Sequence, residues 1–246
     1  MIVLLTGKPG IGKSTALSRI TDMLGRRRCA GLLAKEILKD GERVGFSSYG
    51  LKCRESVILA HKEFRTGFFI EDFGVDPKAL DELCEKEYTA AQDKQVHFMI
   101  LDEIGRMQMM SQGFKRLLEK MAECEKHLIA TICLEDEIEY IREFKKRGGV
   151  RLFVLDEDNR KDVPLEVCRL VGGDDEVYLG KIELALKYRN EKERYEYNGD
   201  RIVLHSEHGI RTITANEEGY HCTCEYYAQN GICSHILSLL IDERKE

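Results

Sequence analysis

Residues Gly7-Lys8-Pro9-Gly10-Ile11-Gly12-Lys13-Ser14 follow the spacing G-x-x-x-x-G-K-[ST], which suits the binding of a polyphosphate. Glycines let the backbone turn tightly enough for successive N–H groups to converge on one anion. Lys13 would reach the β- and γ-phosphates, and the Ser14 hydroxyl would supply a ligand for Mg²⁺. Thr15 leads into the following helix, so the whole run from Gly7 to Thr15 is expected to line a nucleotide. Lys8 stands where a lysine can reach a partner's nucleotide, although Pro9 breaks the glycine pair that usually follows such a lysine.

A second segment completes this chemistry. Met99-Ile100-Leu101-Asp102-Glu103 is an apolar run closed by two acids. Asp102, at the C-terminal end of a strand, would hold Mg²⁺ through water. Glu103 would orient an attacking water and take its proton. Charge developing on the transferred phosphoryl group calls for a further cation. Arg106, Arg147, Arg151 and Arg160 are candidates. Arg160 lies in a loop where a lid could form and is the residue expected to serve as a catalytic group beside Lys13 and Glu103.

A separate set of residues has metal-ligand spacing. Cys222, Cys224, Cys233 and His235 read C-x-C-x₈-C-x-H. Cys222 and Cys224 on one strand would point to the same face. Cys233 and His235 on one continuous helix would diverge by about 200°. Cys233 is therefore expected just before a helix, with His235 in its first turn. Three thiolates and one imidazole suit tetrahedral Zn²⁺ with every position filled by protein, which is a structural site. His221 is a rival ligand, although on a strand it would face away from Cys222.

The elements that must position these groups can be read from periodicity. Ile2-Val3-Leu4-Leu5 is a buried strand, and Leu17, Ile20, Met23 and Leu24 mark the helix after the glycine loop. Ala30–Ile37 and Val44–Phe46 flank Asp40-Gly41 as a hairpin. Asp76-Pro77 starts a helix. Val96–Leu101, His127–Ile132 and Arg151–Leu155 read as strands, and Ser111 and Glu135–Lys146 mark helices between them. Strands alternating with helices predict an α/β domain with a mostly parallel sheet and helices on both faces. A Gly- and acid-rich stretch at Gly172–Glu176 reads as a linker. A helix over Ile182–Arg194 and short strands at Tyr195–Tyr197, Arg201–His205 and Ile210–Thr214 follow it. The expected domains are 1–172 and 173–246.

The chain has 246 residues, 43% of them hydrophobic, which is enough for one core and a small appendage. Its formal net charge of -6 argues against wholesale coating of nucleic acid. No apolar run approaches the ~18 residues of a membrane span. The first strand begins at Ile2, so no signal peptide is expected, and a cytoplasmic location follows. Cys29, Cys53, Cys84, Cys124, Cys133 and Cys168 are scattered and read as reduced, mostly buried thiols.

Three strings carry a resemblance: Gly7-x-Pro9-Gly10-x-Gly12-Lys13-Ser14-Thr15, then Gly31…Glu36…Gly41-x-Arg43-x-Gly45-Phe46, then Leu101-Asp102-Glu103-Ile104-Gly105-Arg106-Met107. Together with Asp158-Asn159-Arg160-Lys161-Asp162-Val163-Pro164, they resemble the small nucleoside-triphosphatase family first described from thermophiles. The resemblance covers roughly residues 1–170. It implies a RecA-like P-loop fold and Mg²⁺-dependent hydrolysis of ATP, GTP and other nucleoside triphosphates to diphosphate and phosphate. Gln108 and Met109 depart from the family pattern, and the C-terminal extension is unusual for it. The Cys/His string, followed by apolar Ile236-Leu237-Ser238-Leu239-Leu240, resembles the SWIM zinc finger, which implies a small module that binds protein or DNA.

The combined expectation is a nucleoside-triphosphatase carrying a zinc finger as a docking element, with few cations on the finger favouring a protein partner. Two alternatives share the same motifs. One is a phosphotransferase acting on a small molecule or a nucleic-acid end, and the other is a nucleotide-binding adaptor without significant turnover.

Overall fold

The computed structural model describes residues 1–134, 138–173, 175–216 and 219–242. They fall into two compact units, Met1–Ser18 with Cys29–Arg160 and Arg19–Arg28 with Lys161–Glu246.

The first unit is built on a sheet of nine strands. In chain order its elements are β1 (Ile2–Thr6), α1 (Lys13–Leu24), β2 (Cys29–Lys39), β3 (Glu42–Gly50), β4 (Ser56–His61), β5 (Phe69–Ile70), β6 (Phe73–Val75), α2 (Pro77–Ala90), β7 (Phe98–Ile104), α3 (Gln112–Glu123), β8 (His127–Ile132), α4 (Glu139–Lys145) and β9 (Val150–Val154). The strand order is β5-β6-β4-β3-β2-β7-β8-β1-β9. Strands β2, β7, β8, β1 and β9 are parallel neighbours. The remaining strands add to β2 as antiparallel hairpins.

The central parallel strands β7, β8 and β1 are apolar because they are covered on both faces, and β1 is buried at every residue. Helices α2, α3 and α4 bury Leu80, Leu83, Phe114, Leu117, Leu118, Ile141 and Phe144 in one cluster with Ile2, Leu4, Leu101 and Ile132 of the sheet. The expected Asp76 cap is present, its side chain accepting from the N–H groups of Lys78 and Ala79. Strand β8 lies between β1 and β7, so the glycine-loop strand and the Asp102 strand end at the same edge with one strand between them.

Hairpin β2–β3 is where the sequence placed it, and its far end is stapled by a buried carboxylate. Glu87 of α2 is fully buried and accepts from the N–H groups of Gly31 at 2.6 Å, Lys52 at 3.0 Å and Cys53 at 2.9 Å. A buried carboxyl group needs donors around it, and these three backbone groups supply them.

The second unit contains the second half of α1 together with α5 (Val163–Val171), α6 (Glu176–Asn190), β10 (Tyr195–Asn198), β11 (Arg201–Ser206), β12 (Gly209–Asn216), β13 (Gly219–Cys222), α7 (Glu225–Asn230) and α8 (Ser234–Asp242). Its strands form an antiparallel meander in the order β10-β11-β12-β13. Arg19 of α1 donates to the Leu240 and Ile241 carbonyls of α8. Tyr178 of α6 donates to the Met23 carbonyl at 3.1 Å. Arg27 lies over the Tyr227 ring, and Arg28 lies over Tyr178 and pairs with Asp175.

Several elements differ from expectation. Helix α4 begins at Glu139, and the preceding Glu135–Glu137 of the expected helix lie outside the described residues. The expected linker gives way at Glu176, because the Asp175 side chain caps α6 by accepting from the Tyr178 N–H; Asp174 lies outside the described residues. Strands β4 to β6 and helices α5 and α7 are further elements that the sequence pattern does not mark, and β5, β6 and α7 are too short to show a period. Among the described residues no helix is long and apolar enough to cross a membrane.

Replacing Glu87 with Ala strands one buried and two half-buried backbone donors. Thermal and urea unfolding of Glu87→Ala should show a loss of about 3 kcal/mol. An unchanged midpoint would mean that water replaces the carboxylate there.

Candidate functional site

The glycine loop joins the buried end of β1 to the first turn of α1. Gly7 has φ +149°, and a Cβ there would lie 2.7 Å from the Leu155 carbonyl oxygen. Gly12 has φ +101°, and its carbonyl accepts the Ala16 N–H at 2.9 Å, opening the helix. Both positions exclude a side chain for backbone reasons. The Lys13 ammonium sits over the loop, donating to the carbonyls of Gly7 at 3.1 Å and Lys8 at 3.3 Å. Lys8, Pro9 and Gly10 are exposed along the loop, and Ile11 and Gly12 are half-buried.

Asp102 is 3% exposed. Its Oδ1 accepts from the Ser14 hydroxyl at 3.0 Å and from the Thr131 hydroxyl at 2.5 Å. Burial pushes the Asp102 carboxyl above its usual range, and hydrogen bonds from Thr131, Ser14 and the Ala34 backbone, with the charge of Lys13, oppose that rise. Glu103, the next residue, is also raised by burial; Lys13 lowers it and Asp102 adds to the rise. The structure therefore brings Lys13, Ser14, Asp102 and Glu103 to one rim of the sheet, as their spacing predicts. The peptide between Asp102 and Glu103 is cis.

The four arginines separate clearly. Arg160 donates to the Ile11 carbonyl of the glycine loop at 3.4 Å. It follows a turn in which Asn159 caps Val154 and Asp156. Arg147 is drawn instead to Glu119 and Glu123. Arg106 lines a cavity of about 450 Å³ walled by Met109, Met110 and Tyr140. Arg151 lies on β9, opposite Val3 of β1. Glu36 and Arg43 pair with each other across the β2–β3 hairpin at 3.0 Å.

Thr131 is the site residue that the sequence reading missed. The available signal was one hydroxyl in an otherwise apolar strand, Leu128-Ile129-Ala130-Thr131-Ile132. Nothing in the local pattern indicated that it would face Asp102.

Of the chain, 70% aligns with the nucleoside-triphosphatase THEP1 of a Thermotoga species (strain RQ2), 32% identical over 172 residues that make up 95% of that protein. THEP1 of Methanothermobacter thermautotrophicus is 31% identical over 174 residues, 97% of its length. The NTPase family model matches residues 2–168. The chain belongs to this NTPase family. It is an enzyme of the hydrolase class. The crystal structure of THEP1 from Aquifex aeolicus superposes with a TM-score of 0.61 at 26% identity, covering 70% of this chain and 99% of that one. The solution structure of a human cancer-related nucleoside triphosphatase shares the fold, with a TM-score of 0.60 at 20% identity over 70% of this chain and 97% of that one. The family match ends before α6.

Beyond the NTPase match, the ligating atoms of Cys222, Cys224, Cys233 and His235 all lie within 4.8 Å of one another, and all four residues are buried. A tetrahedral zinc site places its ligand atoms about 3.8 Å apart, and Cys222 Sγ lies 3.6 Å from His235 Nδ1. The donor set and spacing therefore fit Zn²⁺. One detail differs from expectation. Strand β13 ends at Cys222, and Cys224 caps α7, its sulfur accepting from the Tyr227 N–H at 3.4 Å. The two thiols converge because the chain turns between them, not because they share a strand face. Cys233 directly precedes α8 and His235 lies in its first turn, as the spacing requires. The His235 ring stacks on Tyr188 at 5.8 Å between centroids. Hydrogen bonding within the cluster pulls Cys224 well below the usual thiol range and pushes Cys222 up to about 11. The same contacts, with burial, push Cys233 up as well. His221 faces Tyr227 Oη at 3.0 Å and Asn216 at 3.2 Å, outside the cluster.

A Cβ at Gly7 must displace the Leu155 carbonyl and strain φ, at a cost of about 1–3 kcal/mol. Fluorescent-nucleotide titration of Gly7→Ala should show roughly tenfold or greater weakening, since 1.4 kcal/mol is a factor of ten. Parental affinity in that variant would mean that the loop tolerates a side chain.

Proposed function

We propose that the chain hydrolyses nucleoside triphosphates, ATP or GTP, to diphosphate and phosphate in a Mg²⁺-dependent reaction at the Lys13–Ser14–Asp102–Glu103 rim. The observation that carries this reading is the Ser14 hydroxyl at 3.0 Å from the Asp102 carboxylate. A hydroxyl and a carboxylate on one point offer the hard oxygen donors that Mg²⁺ prefers. Ser14 and Asp102 would hold the ion, which when bound supplies charge neutralisation on the phosphates. The loop from Gly7 to Thr15 binds the polyphosphate through its N–H groups and the positive end of α1. Lys13 moves from the loop carbonyls to the phosphates. Glu103, raised by burial, orients water and accepts its proton. Arg160, on the loop carbonyl of Ile11, is placed to stabilise charge on the transferred group.

The second part of the proposal concerns residues 173–246. Cys222, Cys224, Cys233 and His235 hold a structural Zn²⁺ in a SWIM-type finger that docks to a protein partner, with DNA as the alternative. The cations of this region support a protein partner. Residues 173–246 carry nine Lys and Arg against fifteen Asp and Glu, and Lys187 and Arg194 are paired with Glu207 and Glu191, a balance that does not favour phosphates. None of the nine cysteines forms a disulfide, in keeping with a reducing, cytoplasmic setting.

Glu103→Gln should lower phosphate release by about 10²–10⁴-fold, with nucleotide affinity retained. Release equal to the parent would remove Glu103 from the chemistry, and release only with an added hydroxyl acceptor would make the protein a phosphotransferase. For the finger, elemental analysis should find one zinc per chain in the parent and none in Cys233→Ser. The variant should also melt earlier, because metal binding contributes folding free energy. A zinc-free parent with the same melting point would overturn the metal assignment.

A further inference from the structure

We infer that Thr131 is a positioning residue for the metal-binding carboxylate of Asp102, an inference that rests on the Mg²⁺ reading above. Thr131 is completely buried, so its hydroxyl has no water to turn to. Its partner is Asp102 Oδ1, at 2.5 Å. The same oxygen accepts the Ser14 hydroxyl at 3.0 Å. A carboxylate oxygen has two lone-pair sites, and these two donors occupy both. Oδ1 is thereby anchored, the carboxylate cannot rotate about its bond to Cβ, and Oδ2 is left with a fixed direction.

The two donors have different freedoms. Ser14 sits in the first turn of α1, on the glycine loop that must accommodate a nucleotide. Thr131 sits on β8, in register with Leu5 of β1 on one side and following the Ala130–Leu101 pair on the other. It is therefore the donor held by the sheet. A buried valine would pack as well and bring no polar atom into the core. The hydroxyl has a use only through Asp102. Thr131 thus keeps the carboxylate aimed, whatever position the loop takes. Such outer partners of a metal ligand are worth about 10–100-fold in metal affinity or activity.

The test uses the full chain and Mn²⁺, an oxygen-ligated dication readable by electron paramagnetic resonance, titrated with a non-hydrolysable ATP analogue present. Thr131→Val should bind Mn²⁺ about 10–100-fold more weakly, while its affinity for the analogue in EDTA stays at the parental value. Thr131→Ser, which keeps the hydroxyl, should restore Mn²⁺ binding. The Mg²⁺ concentration for half-maximal hydrolysis should rise in Thr131→Val in step with the Mn²⁺ constant. Parental Mn²⁺ affinity in Thr131→Val would overturn the inference, as would equal loss in Thr131→Ser or an equal loss of analogue binding in EDTA. If Thr131→Val fails to fold, Thr131→Cys and Thr131→Ser compare a weak with a strong donor of nearly the same size. Cys must then fall about tenfold or more below Ser, and equal affinities would overturn the inference. Absence of bound Mn²⁺ in the parent itself would instead defeat the Mg²⁺ reading on which all of this stands.

Discussion

A carboxylate buried at the end of an internal strand is the constraint around which the first unit is organised. Asp102 can stay charged there only if donors meet it from several directions. They come from three separate elements: Ser14 from α1, Thr131 from β8 and the Ala34 N–H from β2. Those elements flank β7 only because β8 is inserted between β7 and β1 while β2 lies on the other side. Strand order and site chemistry are in this sense one requirement. A sheet with β1 directly beside β7 would place no β8 hydroxyl between the loop strand and the acid strand.

The buried acids Asp102 and Glu87 show two uses of the same physics. Glu87 is enclosed by backbone N–H groups, which do not rearrange, so it fixes a hairpin. Asp102 is met mainly by hydroxyls, which can donate while offering lone pairs to something else. One arrangement suits a permanent staple and the other suits a site that must admit an ion. Glu103 differs from both. Burial raises it, the Asp102 charge adds to the rise, and only Lys13 opposes.

What the sequence revealed was what is local. The glycine loop, the Asp102-Glu103 strand end, the Asp76 cap and the Cys233-before-helix rule each depend on a few adjacent residues, and each appears in the structure. Thr131 was not legible because its role depends on a neighbour twenty-nine positions away. Cys224 was placed on a strand because alternation is the default inference for C-x-C. The actual convergence comes from a cap, where the sulfur accepts a backbone N–H in the way a serine oxygen would. Short elements such as β5, with only Phe69 and Ile70, have no period to read. Arg160, the arginine the sequence favoured from its loop position, donates to the glycine-loop carbonyl of Ile11, a contact that no local pattern foretells.

Helix α1 has a consequence for synthesis on the ribosome. Its first residues group with Cys29–Arg160, whereas Arg19–Arg28 group with Lys161 onward. Arg19, Ile20 and Met23 take their partners from residues beyond 160, namely Leu240, Cys168 and Tyr178. A growing chain makes the helix first and those partners last. Through most of translation the helix's second half must wait, the Arg19 guanidinium and the Ile20 and Met23 carbonyls without their final partners, until residue 240 has cleared the exit tunnel.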